Sequence, residues 1–358
     1  MIISRTPFRV SFFGGGTDYP GWYREHGGAV LATTIDKYCY LTCRYLPPFF
    51  EHKIRIIYSK IENCMAVDEI QHPSAREVIR YLGIERGLEI HHDADLPARS
   101  GLGSSSAFTV GLLHALYALQ GRMVGKHELT REAIHIEQEV LRETVGSQDQ
   151  ASTAHGGFNL INFPQSGDPV VTAVPVGTAR VHELNDHLML FYTGIRRTAE
   201  TVARSYVDDI KSKRRQLRLM KDLTDEAVTI LNSGVDLKAF GFLLHEAWEA
   251  KRSLSEQVSN SEVDDIYDIA IRHHATGGKL LGAGGGGFFL VFAPPECHRA
   301  IREALHQLVY VPFRFEFAGS QVIFMDREQD YLDLDPDAAI GRRFRELDPD
   351  GDPAAEGN

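Results

Sequence analysis

Three hydroxyl side chains that directly follow two closely spaced glycines form the stretch of this sequence best suited to bind a phosphate group. Both glycines can adopt positive φ, and the proline-free apolar run from Phe108 to Leu119 predicts a helix with a serine near its N-cap. The first turn of a helix presents unpaired N–H groups and the positive end of its dipole, so we predict an anion site here. An ordinary capped helix is the alternative. The residues predicted to bind the phosphate are Pro97, Gly101, Leu102, Gly103, Ser104, Ser105 and Ser106.

Two carboxylates further along the chain could serve the chemistry of a bound phosphate. Asp149 lies in the stretch Gly146-Ser-Gln-Asp-Gln, a glycine-bounded break where a side chain can enter a cleft. Glu137 lies twelve positions earlier, on a predicted helix. A carboxylate can accept a proton or bind Mg²⁺. The alternatives are an Asx turn or helix cap for Asp149 and surface decoration for Glu137.

Two glycine-rich stretches resemble common nucleotide-binding motifs, but neither fits its motif. No lysine follows Gly103, which excludes a Walker A loop. The run Gly282-Ala-Gly-Gly-Gly-Gly287 formally satisfies Gly-x-Gly-x-x-Gly, but it precedes the strand-like Phe288-Phe-Leu-Val-Phe rather than a helix. We therefore reject dinucleotide binding and expect a tight glycine turn between two strands.

The composition is typical of a globular protein in a reducing compartment. The 358 residues suggest two domains, and a net charge of −11 argues against nucleic acid or an anionic membrane as partner. No apolar run approaches 18 residues, and the first residues lack the apolar segment of a signal peptide. Cysteines without Cys-x-x-Cys spacing are expected to be free thiols. We expect a cytoplasmic enzyme.

The elements that must position these residues include both strands and helices. Strands are predicted at about residues 1–13, 28–45, 54–58, 88–91, 156–163, 170–176, 188–192 and 313–317, with a hairpin at 277–292. Helices are predicted at about residues 74–82 (capped by Ser74), 105–119, 126–142, 198–231, 236–254, 262–276 and 297–309. This pattern indicates an α/β or α+β protein in two halves that join near residues 180–190.

The pattern Pro-x-x-x-Gly-Leu-Gly-Ser-Ser-Ser-Ala resembles the phosphate loop of the GHMP kinases. Arg5 to Pro20 and Lys279 to Phe292 resemble the first and third motifs of that family, so the resemblance covers about residues 1 to 325. It implies an α+β fold with a domain like ribosomal protein S5 domain 2 at residues 1–182 and a ferredoxin-like domain at 183–326. An acidic tail at 327–358 would follow, and the active site would lie between the two domains.

The same resemblance implies catalytic roles. Asp149 would be the base that accepts the proton of an attacking sugar hydroxyl, and Arg9 would lie beside it and stabilise the transferring charge. Glu137 would approach a Mg²⁺ ion, with Ser104 or Ser105 supplying a hydroxyl ligand; the sequence does not choose between the two serines. ATP and Mg²⁺ are therefore the expected cofactors. Surface positions are the alternative for Arg9 and Glu137.

The substrate expected from the resemblance is a sugar or sugar phosphate. Thr17-Asp18-Tyr19 is similar to the sugar-binding motif of galactokinase, but Gly14-Gly15-Gly16 stands where galactokinase has Gly-Glu-His, which weakens the case for galactose. Phe-Gly-Gly-Gly-Thr-Asp looks like the D-glycero-D-manno-heptose 7-phosphate kinases and, more distantly, the fucokinases. That likeness implies phosphorylation at the anomeric oxygen to give a 1,7-bisphosphate. The residues predicted to bind substrate are Gly15, Gly16, Thr17, Asp18, Arg196, Arg197, Gly284 and Gly285.

The sequence leaves alternatives open for one binding site and for the function. Arg196 and Arg197 are predicted to bind the substrate's own phosphate, with charge on a helix face as the alternative. Other functions on the same fold are a fucokinase- or galactokinase-like enzyme, a non-catalytic sugar or ATP sensor, and a decarboxylase of isoprenoid synthesis. No nucleic-acid or membrane partner is expected, and a homodimer is one assembly that the sequence leaves open.

Overall fold

The computed structural model describes residues 1–47, 49–98, 100–195 and 199–326, without the side chains of residues 199 and 200. The strands are β1 (Ile2–Phe13), β2 (Gly28–Tyr45), β3 (Ile54–Ile57), β4 (Ile61–Cys64), β5 (Leu88–Ala94), β6 (Phe158–Phe163), β7 (Val170–Ala173), β8 (Leu188–Tyr192), β9 (Gly277–Leu280), β10 (Phe288–Phe292), β11 (Val309–Tyr310), β12 (Phe315–Glu316) and β13 (Gln321–Met325).

The helices are α1 (Pro20–His26), α2 (Pro73–Tyr81), α3 (Ser104–Leu119), α4 (Lys126–His135), α5 (Gln148–His155), α6 (Thr178–Asp186), α7 (Ala199–Val207), α8 (Arg214–Asn232), α9 (Lys238–Arg252), α10 (Ser261–Arg272) and α11 (His298–Ala304). A π-helical segment, Ile136–Val140, follows α4 directly. Short 3₁₀ turns span Val67–Glu69, Ile210–Lys213 and Pro295–Cys297.

The described strands form two sheets. The first has the order β13-β1-β2-β5-β3-β4, and the long strand β2 also pairs with β6 and β12, while β7 pairs with β6. The second has the order β11-β8-β10-β9. Strands β12 and β13 return to the first sheet, where they pair with β2 and β1. The first sheet therefore includes strands that lie beyond the boundary predicted between residues 182 and 183.

Strand β1 changes register at Pro7, and this change positions Arg9. The pairing of β1 with β2 shifts between Pro7 and Phe8, at a residue that has no N–H to donate to the ladder. Beyond the shift, the backbone N–H of Arg9 donates to the carbonyl of Leu102 at 3.0 Å. The strand therefore lies directly beside the predicted phosphate loop.

Helix α3 packs closely on β1. Gly111 permits this approach, because a Cβ at that position would lie 2.8 Å from Thr6 Oγ1. Ser4 Oγ also donates to the carbonyl of Gly111 at 2.9 Å. All residues from Ser106 to Leu113 are buried. The start of α3 is thereby fixed relative to the strand that carries Arg9.

Two predicted helices and one predicted break differ from the structure. The helix predicted at 126–142 ends as an α-helix at His135 and continues as the π-helical segment. The break predicted at 146–150 is instead the start of α5. The helix predicted at 198–231 is divided by the 3₁₀ turn at Ile210–Lys213. Periodicity alone marks neither the extra residue of a π turn nor a short interruption.

The predicted cap at Ser74 is wrong, and the serine predicted near the N-cap of α3 is Ser104, which directly follows the cap. The N-cap of α3 is Gly103, whose φ is 75°, and no side chain caps this helix. The N-cap of α2 is His72, which accepts a hydrogen bond from Ala75 N at 3.3 Å, because the helix begins at Pro73 rather than after Ser74.

The cysteines are free, as predicted, and they are Cys39, Cys43, Cys64 and Cys297. Within residues 1–326, as far as they are described, no helix combines the length and apolar character needed to cross a membrane.

Candidate active site

The predicted phosphate loop has the backbone that an anion site needs. Gly101 and Gly103 adopt φ of 85° and 75°, as the sequence predicts. Among the described residues no side chain caps α3, and a helix N-terminus of this kind is suited to bind an anion. Gly101 also allows a close approach, since a Cβ there would lie 2.6 Å from the carbonyl oxygen of Leu281. Pro97 is exposed at the entrance of the loop.

Arg9 and Asp149 form a bidentate ion pair beside this loop. Arg9 Nε donates to Asp149 Oδ1 at 2.7 Å and Arg9 Nη2 donates to Asp149 Oδ2 at 2.9 Å. Arg9 Nη1 donates to the carbonyl of Gly101 at 2.6 Å. The Arg9 side chain is 4% exposed and that of Asp149 is 25% exposed. A buried guanidinium thus fixes a carboxylate that remains accessible to a substrate.

Asp149 lies at the edge of the phosphate loop because α5 begins there. It occupies the first turn of α5, where a carboxylate is favoured by the helix dipole. A Cβ on Gly103 would lie 3.4 Å from Asp149 Oδ2 and 3.2 Å from Arg9 Cγ. A group bound at the start of α3 is therefore next to the Asp149 carboxylate.

Glu137 is a fully buried carboxylate behind the loop. Its Oε2 accepts hydrogen bonds from Ser106 Oγ at 2.8 Å and from the Gln150 amide. Its Oε1 is buried and has no hydrogen-bond partner among the described residues. Burial, helped by the nearby Glu143 carboxylate, raises the pKa of Glu137 to about 7. Of the three serines, Ser106 is the one that contacts Glu137. The family resemblance implied Ser104 or Ser105 as the hydroxyl ligand that would bind the metal together with Glu137.

Replacing Glu137 with glutamine should make the free energy of unfolding of the metal-free protein less dependent on pH. The pKa of Glu137 is about 7 in the folded protein and 4.5 in the unfolded chain. The protonated side chain therefore stabilises the folded state fully below pH 4.5, and this stabilisation is lost as the pH rises to 7. At pH 8 the neutral Glu137→Gln variant should therefore be more stable by about 3 kcal/mol. Urea unfolding of both proteins at pH 5 and pH 8 measures this difference. An unchanged pH dependence in the variant would contradict it.

Asp18 is buried against the start of α5. Its Oδ1 accepts from Gly16 N at 2.8 Å and its Oδ2 accepts from Gln148 Nε2 at 2.9 Å. Burial, with the charge of Asp149 contributing, raises its pKa. A Cβ on Gly146 would lie 1.9 Å from Asp18 Oδ2, so this contact requires glycine at position 146. Asp18 and Gly16 are thus held near Asp149.

Thr17 differs from Asp18 because its hydroxyl binds backbone groups of its own loop and of β2. Thr17 Oγ1 lies 2.8 Å from the carbonyl oxygen of Gly14 and 3.0 Å from that of Ala29, and it accepts a hydrogen bond from Ala29 N at 3.1 Å. These contacts indicate a structural role for the Thr17 side chain. Gly15 lies on the other side of the loop, where a Cβ would meet the Gln148 amide at 3.5 Å.

The third glycine-rich stretch forms the predicted turn between β9 and β10 and packs against the phosphate loop. A Cβ on Gly282 would lie 2.5 Å from Gly101 Cα, and one on Gly287 would lie 2.3 Å from the carbonyl oxygen of Ser100. The N–H of Phe288 donates to that same carbonyl at 3.1 Å. The first, second and third motifs therefore meet around Arg9 and Asp149, and we call this region the candidate active site.

Four other residues were predicted to bind the substrate, and the structure describes two of them. Gly284 and Gly285 lie at the tip of the turn and pack on Val258, which accepts a hydrogen bond from Gly285 N at 2.9 Å. Arg196 and Arg197 lie outside the described residues.

Sequence reasoning missed two glutamines of the site. Gln148 binds Asp18 and Gln150 binds Glu137, so the residues on either side of Asp149 orient the two other carboxylates of the site. The stretch Gly-Ser-Gln-Asp-Gln contained them, but a helix was not expected there. On the first turn of α5 the three side chains point in different directions, which allows three separate contacts.

Comparisons with known proteins show which family this chain resembles. Two family models match the chain: GHMP kinases N terminal domain over residues 70–157 and GHMP kinases C terminal over residues 231–310. The D-glycero-alpha-D-manno-heptose 7-phosphate kinase of Campylobacter jejuni is 28% identical over 86% of this chain and 93% of that protein. The L-fucokinase/L-fucose-1-P guanylyltransferase of Bacteroides fragilis is 27% identical over 85% of this chain and 36% of that protein.

Solved structures show the same architecture. A D-glycero-D-manno-heptose 1-phosphate kinase from Bacteroides thetaiotaomicron superposes with a TM-score of 0.74 and 25% identity, covering 91% of this chain and 100% of that one. A mevalonate kinase superposes with a TM-score of 0.68 at 18% identity, over 88% and 100% of the two chains. These likenesses confirm the predicted α+β fold class.

Proposed function

Since this chain belongs to the GHMP kinase family of ATP-dependent phosphotransferases, we propose that it phosphorylates D-glycero-α-D-manno-heptose 7-phosphate at the anomeric O1. The product would be the 1,7-bisphosphate, a precursor of nucleotide-activated heptose for surface polysaccharide. The observation that carries the proposal is the accessible Asp149 carboxylate, held by Arg9 at the edge of a glycine-rich loop that leads into a helix N-terminus without a side-chain cap.

Each element of the site has its own role in the proposed reaction. The first-turn N–H groups of α3 bind the phosphates of ATP. The Asp149 carboxylate accepts the proton of the sugar hydroxyl while that oxygen attacks the terminal phosphorus and ADP leaves. Arg9 orients Asp149 through two hydrogen bonds and places positive charge beside the transferring group.

The buried hydroxyl and carboxylate of Ser106 and Glu137 fit Mg²⁺. Both supply the oxygen ligands that this ion prefers, and the unpartnered Glu137 Oε1 has no other assignment among the described residues. Mg²⁺ keeps water and phosphate oxygens as ligands, so a site with few protein groups suffices, and within the described residues no cluster of three His, Cys, Asp or Glu side chains is found. When bound, the ion would neutralise charge on the phosphates.

The two neighbouring serines provide a matched test of the metal assignment. Ser106→Ala removes the hydroxyl that contacts Glu137, so we expect the Mg²⁺ concentration for half-maximal rate to rise by about tenfold, as for the loss of one charge-assisted hydrogen bond. Ser105 is exposed, and Ser105→Ala should leave this requirement close to wild type. Titration of the rate against Mg²⁺ measures both. Equal effects of the two substitutions would remove Ser106 from the metal site.

The choice of a heptose phosphate rests on the first motif and on the relatives. The loop at Gly14–Gly16 places no side chain where galactokinases have two large polar ones, which leaves room for a larger sugar. The two relatives named for heptose phosphates differ in the position of that phosphate, so the position is part of the proposal. A fucokinase-like activity is the second candidate, supported by the likeness to the Bacteroides fragilis enzyme.

An ADP-release assay with a panel of acceptors tests the proposal. The panel contains the heptose 7-phosphate, the heptose 1-phosphate, L-fucose and D-galactose, each with MgATP. We expect the highest kcat/KM for the 7-phosphate. A preference for L-fucose would favour the second candidate, and nucleotide binding without turnover of any acceptor would favour a sensor built on this fold.

A further inference from the structure

Two buried lysines without carboxylate partners lie behind the candidate active site. Lys251 on α9 is 6% exposed and Lys279 on β9 is 3% exposed. Lys251 Nζ donates to the carbonyls of Leu280 and Gly282, at 2.8 and 2.6 Å. Lys279 Nζ donates to the carbonyl of Phe12 at 2.7 Å. In the described part of the chain neither ammonium forms an ion pair, although a buried charge is ordinarily paired.

A short series of contacts connects Lys251 to the ion pair of Arg9 and Asp149. Gly282 begins the glycine turn and packs against Gly101 of the phosphate loop, since a Cβ at position 282 would lie 2.5 Å from Gly101 Cα. The carbonyl of Gly101 in turn accepts a hydrogen bond from Arg9, which holds Asp149. A displacement of the Lys251 ammonium therefore reaches the phosphate loop through one packing contact.

The Lys279 contact leads to the sugar side of the site. Phe12 lies two residues before Gly14, where the loop that carries Asp18 begins. Lys279 thus ties β9, at the start of the third motif, to the part of β1 that lies within the first motif. The two lysines connect all three motifs, and the functions described above use neither.

The charges around the lysines are unbalanced. The groups that face them are Arg9 from β1, Asp18 from the following loop and each other, and the charge of Arg9 is already matched by Asp149. Burial lowers the pKa of Lys279 to about 7, with Arg9 adding to the shift and Asp18 opposing it. Burial, with Lys279 and Arg9 contributing, also lowers the pKa of Lys251 well below its ordinary value. An anion near the phosphate loop would restore the balance.

We propose that Lys251 and Lys279 are positioning residues whose positive charge is completed by phosphate groups bound in the candidate active site. Phosphate binding and lysine protonation are then coupled: the bound anion favours the ammonium forms, and these hold the glycine turn and the first-motif loop in place. The anion can come from the nucleotide or from a phosphorylated sugar. The inference rests on the proposed function only in that phosphates bind at the start of α3.

Proton uptake on ligand binding tests this coupling. Calorimetric titration at pH 8 in two buffers of different ionisation enthalpy gives the number of protons bound with MgADP and, separately, with the sugar phosphate. We expect wild type to take up a proton on the order of one per site, because a lysine with a pKa near 7 is mostly neutral at pH 8 until the anion binds. Ionisation of Glu137 on metal binding has the opposite sign. Uptake with MgADP alone assigns the anion to the nucleotide, and uptake with the sugar phosphate alone assigns it to the acceptor.

Variants separate charge from hydrogen bonding. Lys279→Met should lose the proton uptake and weaken binding of the responsible phosphate by about tenfold, equivalent to 1.4 kcal/mol. Lys279→Gln keeps a donor near Phe12 without a charge, so it should recover thermal stability but neither proton uptake nor affinity. Lys279→Arg stays charged and should bind phosphate without taking up a proton. Lys238→Met, at an exposed position on the same helix as Lys251, is the control for loss of a lysine and should behave as wild type.

Two results would overturn the inference. The first is the absence of proton uptake by wild type with both ligands, a measurement that needs no variant to fold. The second is full recovery of affinity and uptake in Lys279→Gln, which would show a purely structural contact. Failure of the proposed function is a separate outcome, since it would appear as the absence of heptose phosphate turnover while nucleotide still binds with proton uptake.

Discussion

Asp149→Asn should lower kcat by about 10²- to 10⁴-fold, the usual contribution of a general base. Asparagine keeps the size of the side chain and one oxygen acceptor for Arg9, but its amide does not accept the proton of a sugar hydroxyl. The phosphates of ATP bind at the start of α3, so MgADP affinity should change little. Single-turnover kinetics and calorimetric titration on the same preparation measure both quantities.

The control for this substitution is Asp168→Asn, at an exposed carboxylate that pairs with His127 and contacts none of the site residues named above, which should leave kcat unchanged. An Asp149→Asn enzyme with near-normal turnover would remove Asp149 from the role of base. A variant that lost MgADP affinity in proportion to kcat would instead point to a disordered phosphate loop.

Arg9→Lys should lower kcat/KM by about 10²-fold although it preserves the charge. Arg9 makes three hydrogen bonds in fixed directions, two to Asp149 and one to the carbonyl of Gly101. A single ammonium does not reproduce this planar geometry, so the carboxylate and the loop should shift relative to one another, and shifts of about 1 Å are costly at a reacting centre. Steady-state kinetics with ATP and the preferred sugar measure the loss.

Arg5→Lys on the same strand is the matched control, because Arg5 contacts Gln321 and lies outside the site. Since Arg9 and Asp149 act as a unit, the double variant Arg9→Lys with Asp149→Asn should be no worse than about Asp149→Asn alone. Fully additive losses would show that the two residues act independently, contrary to the geometry.

The sequence predicted the parts of the site that depend on local structure. The positive φ of Gly101 and Gly103 and a helix after them follow from residue types within one short stretch. The hairpin with its glycine turn was predictable for the same reason, because apolar strands flank the glycines.

The parts that depend on tertiary contacts were not predictable in this way. The Ser106–Glu137 contact joins α3 to a π-helical segment that the 3.6-residue period does not reveal. Lys251 and Lys279 look like surface residues until packing buries them. The return of β12 and β13 to the first sheet likewise depends on pairing between residues at least 280 positions apart, as between Ile2 and Met325.

Phosphorus NMR of the reaction of ATP with the heptose 7-phosphate tests the central claim most directly, because it shows where the phosphoryl group goes and whether Asp149 is needed. With wild type, we expect loss of the terminal phosphate signal of ATP and a new signal, split by the anomeric proton, that grows beside an unchanged 7-phosphate. With Asp149→Asn at equal concentration, that signal should be absent over the same time. ADP formation without an anomeric phosphate signal, or the same signal at the same rate from the variant, would contradict the proposed function.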